Sequence, residues 1–69
     1  MNADTVIANG QAVPLVAPAT LEAFLRTLGF HPRSVVVEHN GDAVAPSEFP
    51  QRTVQPGDRL EIVRVVAGG

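Results

Sequence analysis

Gln55-Pro56-Gly57-Asp58-Arg59-Leu60-Glu61-Ile62-Val63-Arg64-Val65-Val66 is the stretch that decides the fold. Pro56 and Gly57 suit the second and third positions of a type II turn, Pro because its φ is preset and Gly because that turn needs a positive φ. The turn launches the longest strand of the chain, Arg59 to Val66. That strand carries apolar residues on both faces, Leu60 and Ile62 on one and Val63 and Val65 on the other, and such a strand belongs at the centre of a sheet.

Upstream, Thr5-Val6-Ile7-Ala8 and Gln11-Ala12-Val13-Pro14-Leu15 flank Asn9-Gly10, the dipeptide suited to a type I′ hairpin turn. Pairing across that turn sets Val6 opposite Val13, with Leu15 on the same inward face and Ile7 facing out. Pro14 cannot donate to a ladder, which makes the second strand an edge. Thr20 is a suitable N-cap for a short amphipathic helix bearing Leu21, Phe24, Leu25 and Leu28 at i, i+3, i+4 and i+7. Glu22 and Arg26 form an i,i+4 pair, Gly29 closes the helix in the left-handed conformation, and Phe30 packs back on Leu25. Val35 to His39 reads as a strand that turns at Asn40-Gly41 into Asp42-Ala43-Val44. Between Ala45 and Arg52, Ser47-Glu48-Phe49 is expected to make one tight turn with Phe49 as a buried plug.

These elements predict one α+β domain spanning residues 1–69, a mixed sheet of four to five strands with one helix packed on one face. The expected core is Val6, Val13, Leu15, Leu21, Phe24, Leu25, Leu28, Val37, Leu60 and Ile62. A single helix covers a single face. Ile7, Val63 and Val65 are therefore candidates for an exposed apolar patch that docks a partner.

Composition removes several function classes. The chain has no cysteine, which excludes disulfides, thiolate metal sites and a thiol nucleophile on this chain. It has no lysine, a formal charge of −2 and scattered arginines, a poor match to a nucleic-acid surface. His31 and His39 lack metal-ligand spacing, and His31 beside Pro32 reads as an exposed loop residue. No run reaches the roughly 20 apolar residues of a membrane span, and Met1-Asn2-Ala3-Asp4 does not resemble an export signal, so a cytoplasmic location is expected. Ser47, Glu48 and His39 could be drawn as a triad, but a neighbouring Ser and Glu in a loop are far more often turn chemistry, and so small a domain can hardly enclose an active site.

The sequence finishes Ala67-Gly68-Gly69, and with average glycine usage a Gly-Gly ending arises by chance in roughly one chain in 200. Two residues without Cβ atoms can thread a narrow tunnel and present a carboxylate there, with residues 67–69 expected as a flexible tail. Taken with the order hairpin, helix, strand, turn, strand, this resembles the ubiquitin-like β-grasp fold. The runs Val37-Glu38-His39-Asn40-Gly41, Pro56-Gly57-Asp58-Arg59-Leu60-Glu61-Ile62-Val63 and Ala67-Gly68-Gly69 resemble the thiamin-biosynthesis sulfur carrier family, ThiS, over nearly the whole chain. The chain departs from that family at Val44-Ala45-Pro46 and Phe49, where Val-Pro-Arg followed by Trp is frequent. The small subunit of molybdopterin synthase is the sister family, but Val65-Val66-Ala67 lacks the aromatic or Pro-rich stretch usual there.

The resemblance implies a protein co-substrate and not an enzyme. It implies that a ThiF-type adenylyltransferase activates the Gly69 carboxylate with ATP and Mg²⁺, neither of which this chain would bind. A persulfide donor of the cysteine desulfurase type would supply sulfur, and the Gly69 thiocarboxylate would feed thiazole synthase. Ala67 and Gly68 would be read by the tunnel, and Ile7, Val63 and Val65 would dock the activating enzyme. The alternatives are a molybdopterin-type carrier, a protein modifier conjugated through Gly69, and a β-grasp binding module with an inert tail.

Overall fold

The computed structural model describes residues 4–15 and 18–65. Strands β1 (Thr5–Ala8) and β2 (Gln11–Pro14) form the first hairpin, and β3 (Ala19–Thr20) leads into helix α1 (Leu21–Thr27). Strands β4 (Val35–His39) and β5 (Asp42–Val44) form the second hairpin, followed by β6 (Thr53–Val54) and β7 (Arg59–Arg64). The main sheet has the order β2-β1-β7-β4-β5, with β1 parallel and β4 antiparallel to β7. β7 is central and β2 is an edge, as the apolar pattern and Pro14 predict. The regular strand stops at Arg64, short of the expected Val66, although the Val65 N–H still donates to the Ser34 carbonyl at 2.8 Å.

The helix begins and ends as its sequence dictates. The Thr20 hydroxyl accepts from the Ala23 N–H at 3.1 Å. At the other end Gly29 has φ +89°, its N–H donates to the Arg26 carbonyl, and the Phe30 N–H reaches the Leu25 carbonyl, the double bond of a Schellman motif. The two first N–H groups of the helix are satisfied from far along the chain: Leu21 donates to Arg52 at 2.6 Å and Glu22 to Phe49 at 3.1 Å. The same segment supplies β6, which pairs with β3 in a two-stranded sheet that the sequence pattern did not predict. Phe49, only 1% exposed, plugs the core behind a 3₁₀ turn at Pro46–Glu48. The core otherwise gathers the expected residues, with Ala8, Val35, Val44 and Val54 added and with Val13 and Leu28 only partly buried.

Both hairpins are clamped to β7 by the same device. Asn9 (φ 51°) and Asn40 (φ 52°) occupy the first turn position of each Asn-Gly pair. The Asn9 amide receives the Ile62 N–H at 2.7 Å and donates to the Ile62 carbonyl at 3.0 Å, adding a side-chain rung where β1 ends. The Asn40 amide oxygen receives the Arg59 N–H at 2.8 Å, while the Asn40 N–H donates to the Arg59 carbonyl. Glycine satisfies the turn geometry at these positions but cannot supply the amide.

A polar cluster closes the end of the sheet where β7 starts. His39, 6% exposed, is held between Asp58 and Arg52. The Arg52 Nε–H donates to His39 Nδ1 at 2.8 Å, which places the imidazole proton on Nε2, where it donates to Asp58 Oδ2 at 2.7 Å. Asp58 also accepts from the Gln55 N–H at 2.8 Å and from the Asn40 amide at 3.2 Å. Burial pushes the Asp58 carboxyl up, but the hydrogen bonds donated by the Gln55 N–H, the His39 ring and the Asn40 amide outweigh it, and the net shift is below the ordinary carboxylate value.

Two measurements test this frame. Asn9→Gly keeps the turn and leaves both Ile62 backbone groups without their partner, so it is expected to cost about 1–2 kcal/mol in urea unfolding. A variant as stable as the parent would show that the amide rung contributes nothing. Because the folded-state pKa of Asp58 is depressed, its contribution is complete above the unfolded carboxyl pKa of about 3.9 and is lost as pH falls through the folded value. Asp58→Asn is expected to cost about 1–3 kcal/mol at neutral pH, with the gap to the parent closing below about pH 4. A gap constant across that range would refute the assignment.

Candidate functional site

Alternation along the strands sorts the sheet into two faces. Val6 and Ala8, Leu60 and Ile62, and Val35 and Val37 point at the helix and are buried. Thr5 and Ile7, Arg59, Glu61 and Val63, and Val36 and Glu38 occupy the open face, joined at the end of β7 by Val65. Val63 is 61%, Val36 54% and Val65 49% exposed.

Val36 lies directly opposite Val63 in the β4–β7 register. The three valines therefore form one apolar cluster at the end of β7 from which Val66 to Gly69 continue. Val36 is a member of this cluster that the candidate patch drawn from the sequence did not include. The expected core set Val37 inward, and alternation then turns Val36 outward, but only the β4–β7 register places Val36 beside Val63.

Ile7 sits elsewhere on the same face. It is half-buried and opposite Arg59, about 13 Å along the strand direction from the level of Val63 at 3.3 Å per residue. Arg59 and Glu61 separate it from the valine cluster. The fold thus brings Val63 and Val65 together with Val36 and leaves Ile7 at the far end. Ala67, Gly68 and Gly69 lie outside the described residues.

At the end of β7, Arg64 faces the helix side, its guanidinium carbon 5.2 Å from the centre of the Phe30 ring. Together with the Val65–Ser34 bond, this holds the last turn of the strand against the body of the domain. His31 is exposed, and its Nδ1 accepts from the Arg33 N–H at 3.1 Å, capping a 3₁₀ turn at Pro32–Ser34.

The other polar centres build structure. His39 has both ring nitrogens engaged, by Asp58 and Arg52, and Glu48 is bonded to Arg52 at 3.4 Å, so the fold does not assemble a Ser47, Glu48 and His39 triad. Among the described residues, no group of three His, Cys, Asp or Glu residues could hold a metal ion, and no helix is long and apolar enough to cross a membrane.

The architecture has counterparts. The crystal structure of a thiamine biosynthesis protein (ThiS) from Geobacter metallireducens superposes with a TM-score of 0.80 at 25% identity, covering 94% of this chain and 99% of that one. A solution structure of a thiamine biosynthesis protein from the same organism gives 0.76 at 26% identity, covering 94% of this chain and 87% of that one. These matches confirm the ubiquitin-like β-grasp fold. Among curated proteins, a thiazole synthase of Paramagnetospirillum magneticum is 41% identical over 64 residues, 93% of this chain and 20% of that protein. A thiazole synthase of Magnetococcus marinus is 36% identical over 61 residues, 88% of this chain and 19% of that protein. The chain spans about a fifth of the length of these relatives. The ThiS family model matches residues 3–69, and with the fold and the relatives in agreement, the chain belongs to the ThiS family.

Proposed function

We propose that this chain is a sulfur carrier for building the thiazole of thiamin, with the Gly69 carboxylate as the group that is activated and thiolated. The observation that carries the proposal is membership of the ThiS family along residues 3–69, in a chain whose central strand runs towards Ala67-Gly68-Gly69. The thiazole synthase relatives support the thiamin branch and a thiazole synthase as the sulfur acceptor.

The chemistry explains why a carrier needs partners and no catalytic group of its own. A carboxylate delocalises its charge and resists nucleophiles, so it must first become a mixed anhydride. A ThiF-type adenylyltransferase would let a Gly69 carboxylate oxygen attack the α-phosphorus of ATP and expel pyrophosphate. Mg²⁺ on the partner would offset phosphate charge. The terminal sulfur of a persulfide, supplied by a desulfurase-type donor, would then displace AMP, and a further thiol would cleave the S–S bond to leave the thiocarboxylate. Gly68 and Ala67 suit a tunnel wall that reads backbone groups and leaves no room for larger side chains. Docking would use Val63 and Val65 with their neighbour Val36, and Ile7 would touch the partner at the far end of the open face. A cytoplasmic setting, where ATP and persulfide donors are available, suits this chemistry.

Intact-mass measurement tests the carrier role. Incubation of the chain with a ThiF-type enzyme, ATP, Mg²⁺ and a persulfide donor should exchange one oxygen for one sulfur at Gly69. Removing Gly69 should abolish the gain, since a reacting group displaced by about 1 Å already loses on the order of 10²-fold in rate. Product formed only with a molybdopterin-type activator would assign the chain to that branch, and no product with either would favour a binding module with an inert tail. Val63→Asp, on an exposed position, should leave folding intact and weaken binding to the activating enzyme on the order of tenfold or more. Wild-type affinity in that variant would remove the valine cluster from the interface.

A further inference from the structure

The register of the two central strands places Glu38 directly opposite Glu61 on the open face. Directly opposed residues in a sheet hold their Cβ atoms about 4.5–5.5 Å apart, and like charges there are destabilising. Neither carboxylate is ion-paired among the described residues, where the acid–base contacts join Glu22 to Arg26, Asp58 to His39, and Asp42 and Glu48 to Arg52. Arg59 shares the face two residues before Glu61 and is not paired with it. The next rung of the ladder on this face, two residues along, is Val36 opposite Val63. An exposed apolar pair and an uncompensated acidic pair thus sit side by side on the two most central strands.

We propose that Glu38 and Glu61 form an anionic clamp that receives an arginine or lysine of the activating adenylyltransferase, whose apolar surface covers Val36, Val63 and Val65. The inference rests on the carrier role proposed above and names the chemistry of its partner. Charge complementarity chooses this occupant. The free domain tolerates this like-charge juxtaposition across the rung, and a guanidinium or ammonium brought up to the two carboxylates converts it into attraction. Its apolar surroundings exclude water and strengthen the interaction. A second copy of this chain fits poorly. A two-fold interface sets the same patch against itself, which would bring four carboxylates together.

The clamp predicts opposite effects on folding and on binding. Glu38→Gln and Glu61→Gln should each raise the melting temperature of the isolated chain by about 2–5 °C at low salt, an increment that shrinks at high salt. Each should also weaken binding to the ThiF-type adenylyltransferase about 3–10-fold, with a shallower dependence of log Kd on log salt concentration, while Glu61→Asp retains the charge and most of the affinity. Calorimetric titration of the whole chain at low and high salt reads both quantities. Variants that keep wild-type affinity and salt dependence would overturn the clamp and leave the carrier role standing. A wild-type chain that is neither bound nor adenylated would overturn the carrier role, and the clamp with it. A wild-type dimer, dispersed by Val63→Asp in sedimentation, would assign the face to self-association instead.

Discussion

Every other part of this domain is arranged around the backbone of β7. It is flanked on both sides, by parallel β1 along Arg59–Leu60 and by antiparallel β4 along Leu60–Arg64, with the Asn9 amide extending the β1 side to Ile62. A parallel rung cannot be made by a tight hairpin, so the chain must travel through the helix and the second hairpin before β7 can pair with β1. Closing that long loop is entropically costly. The asparagine amides of both hairpin turns reach this strand, which ties two local structures to the one element that arrives last in the sequence.

A domain of 69 residues has little interior to spend on polar groups, yet it buries a histidine. His39 is tolerated because each ring nitrogen meets a partner suited to one tautomer, Arg52 as donor and Asp58 as acceptor. Those partners come from the irregular segment before β6 and from the turn before β7. The same irregular segment caps the helix N-terminus through the carbonyls of Phe49 and Arg52 and fills the core with Phe49 and Val54. A stretch without long regular structure is thus held as firmly as the strands, by its backbone acceptors and by one aromatic plug.

The open face reverses that economy. On the helix side, apolar residues are hidden and polar ones are paired; on the other, valines stay exposed and two glutamates oppose each other across a central rung. The difference follows from having one helix for two faces. It leaves a surface with its own chemistry at the end of β7.

Local features were legible in the residues alone. Asn-Gly pairs fixed two hairpin turns, Thr20 and Gly29 bounded the helix, Pro56-Gly57 placed the last turn, and two-faced apolarity put β7 in the middle. Each is a preference that one residue type imposes on a few neighbouring dihedrals or on one strand's burial. The ending Gly68-Gly69 and the flanking motifs pointed to the ThiS family for similar reasons, as short runs whose spacing is itself the signal. What the tertiary structure decided is every relation that spans distant parts of the chain. The asparagines prove to be ladder partners as well as turn formers, His39 finds Asp58 and Arg52, Val36 joins Val63 while Ile7 is left at the other end, and Glu38 meets Glu61. Those outcomes depend on strand register, and register is set by the packing of the whole sheet against its helix, where a slip of one residue would turn every side chain to the opposite face.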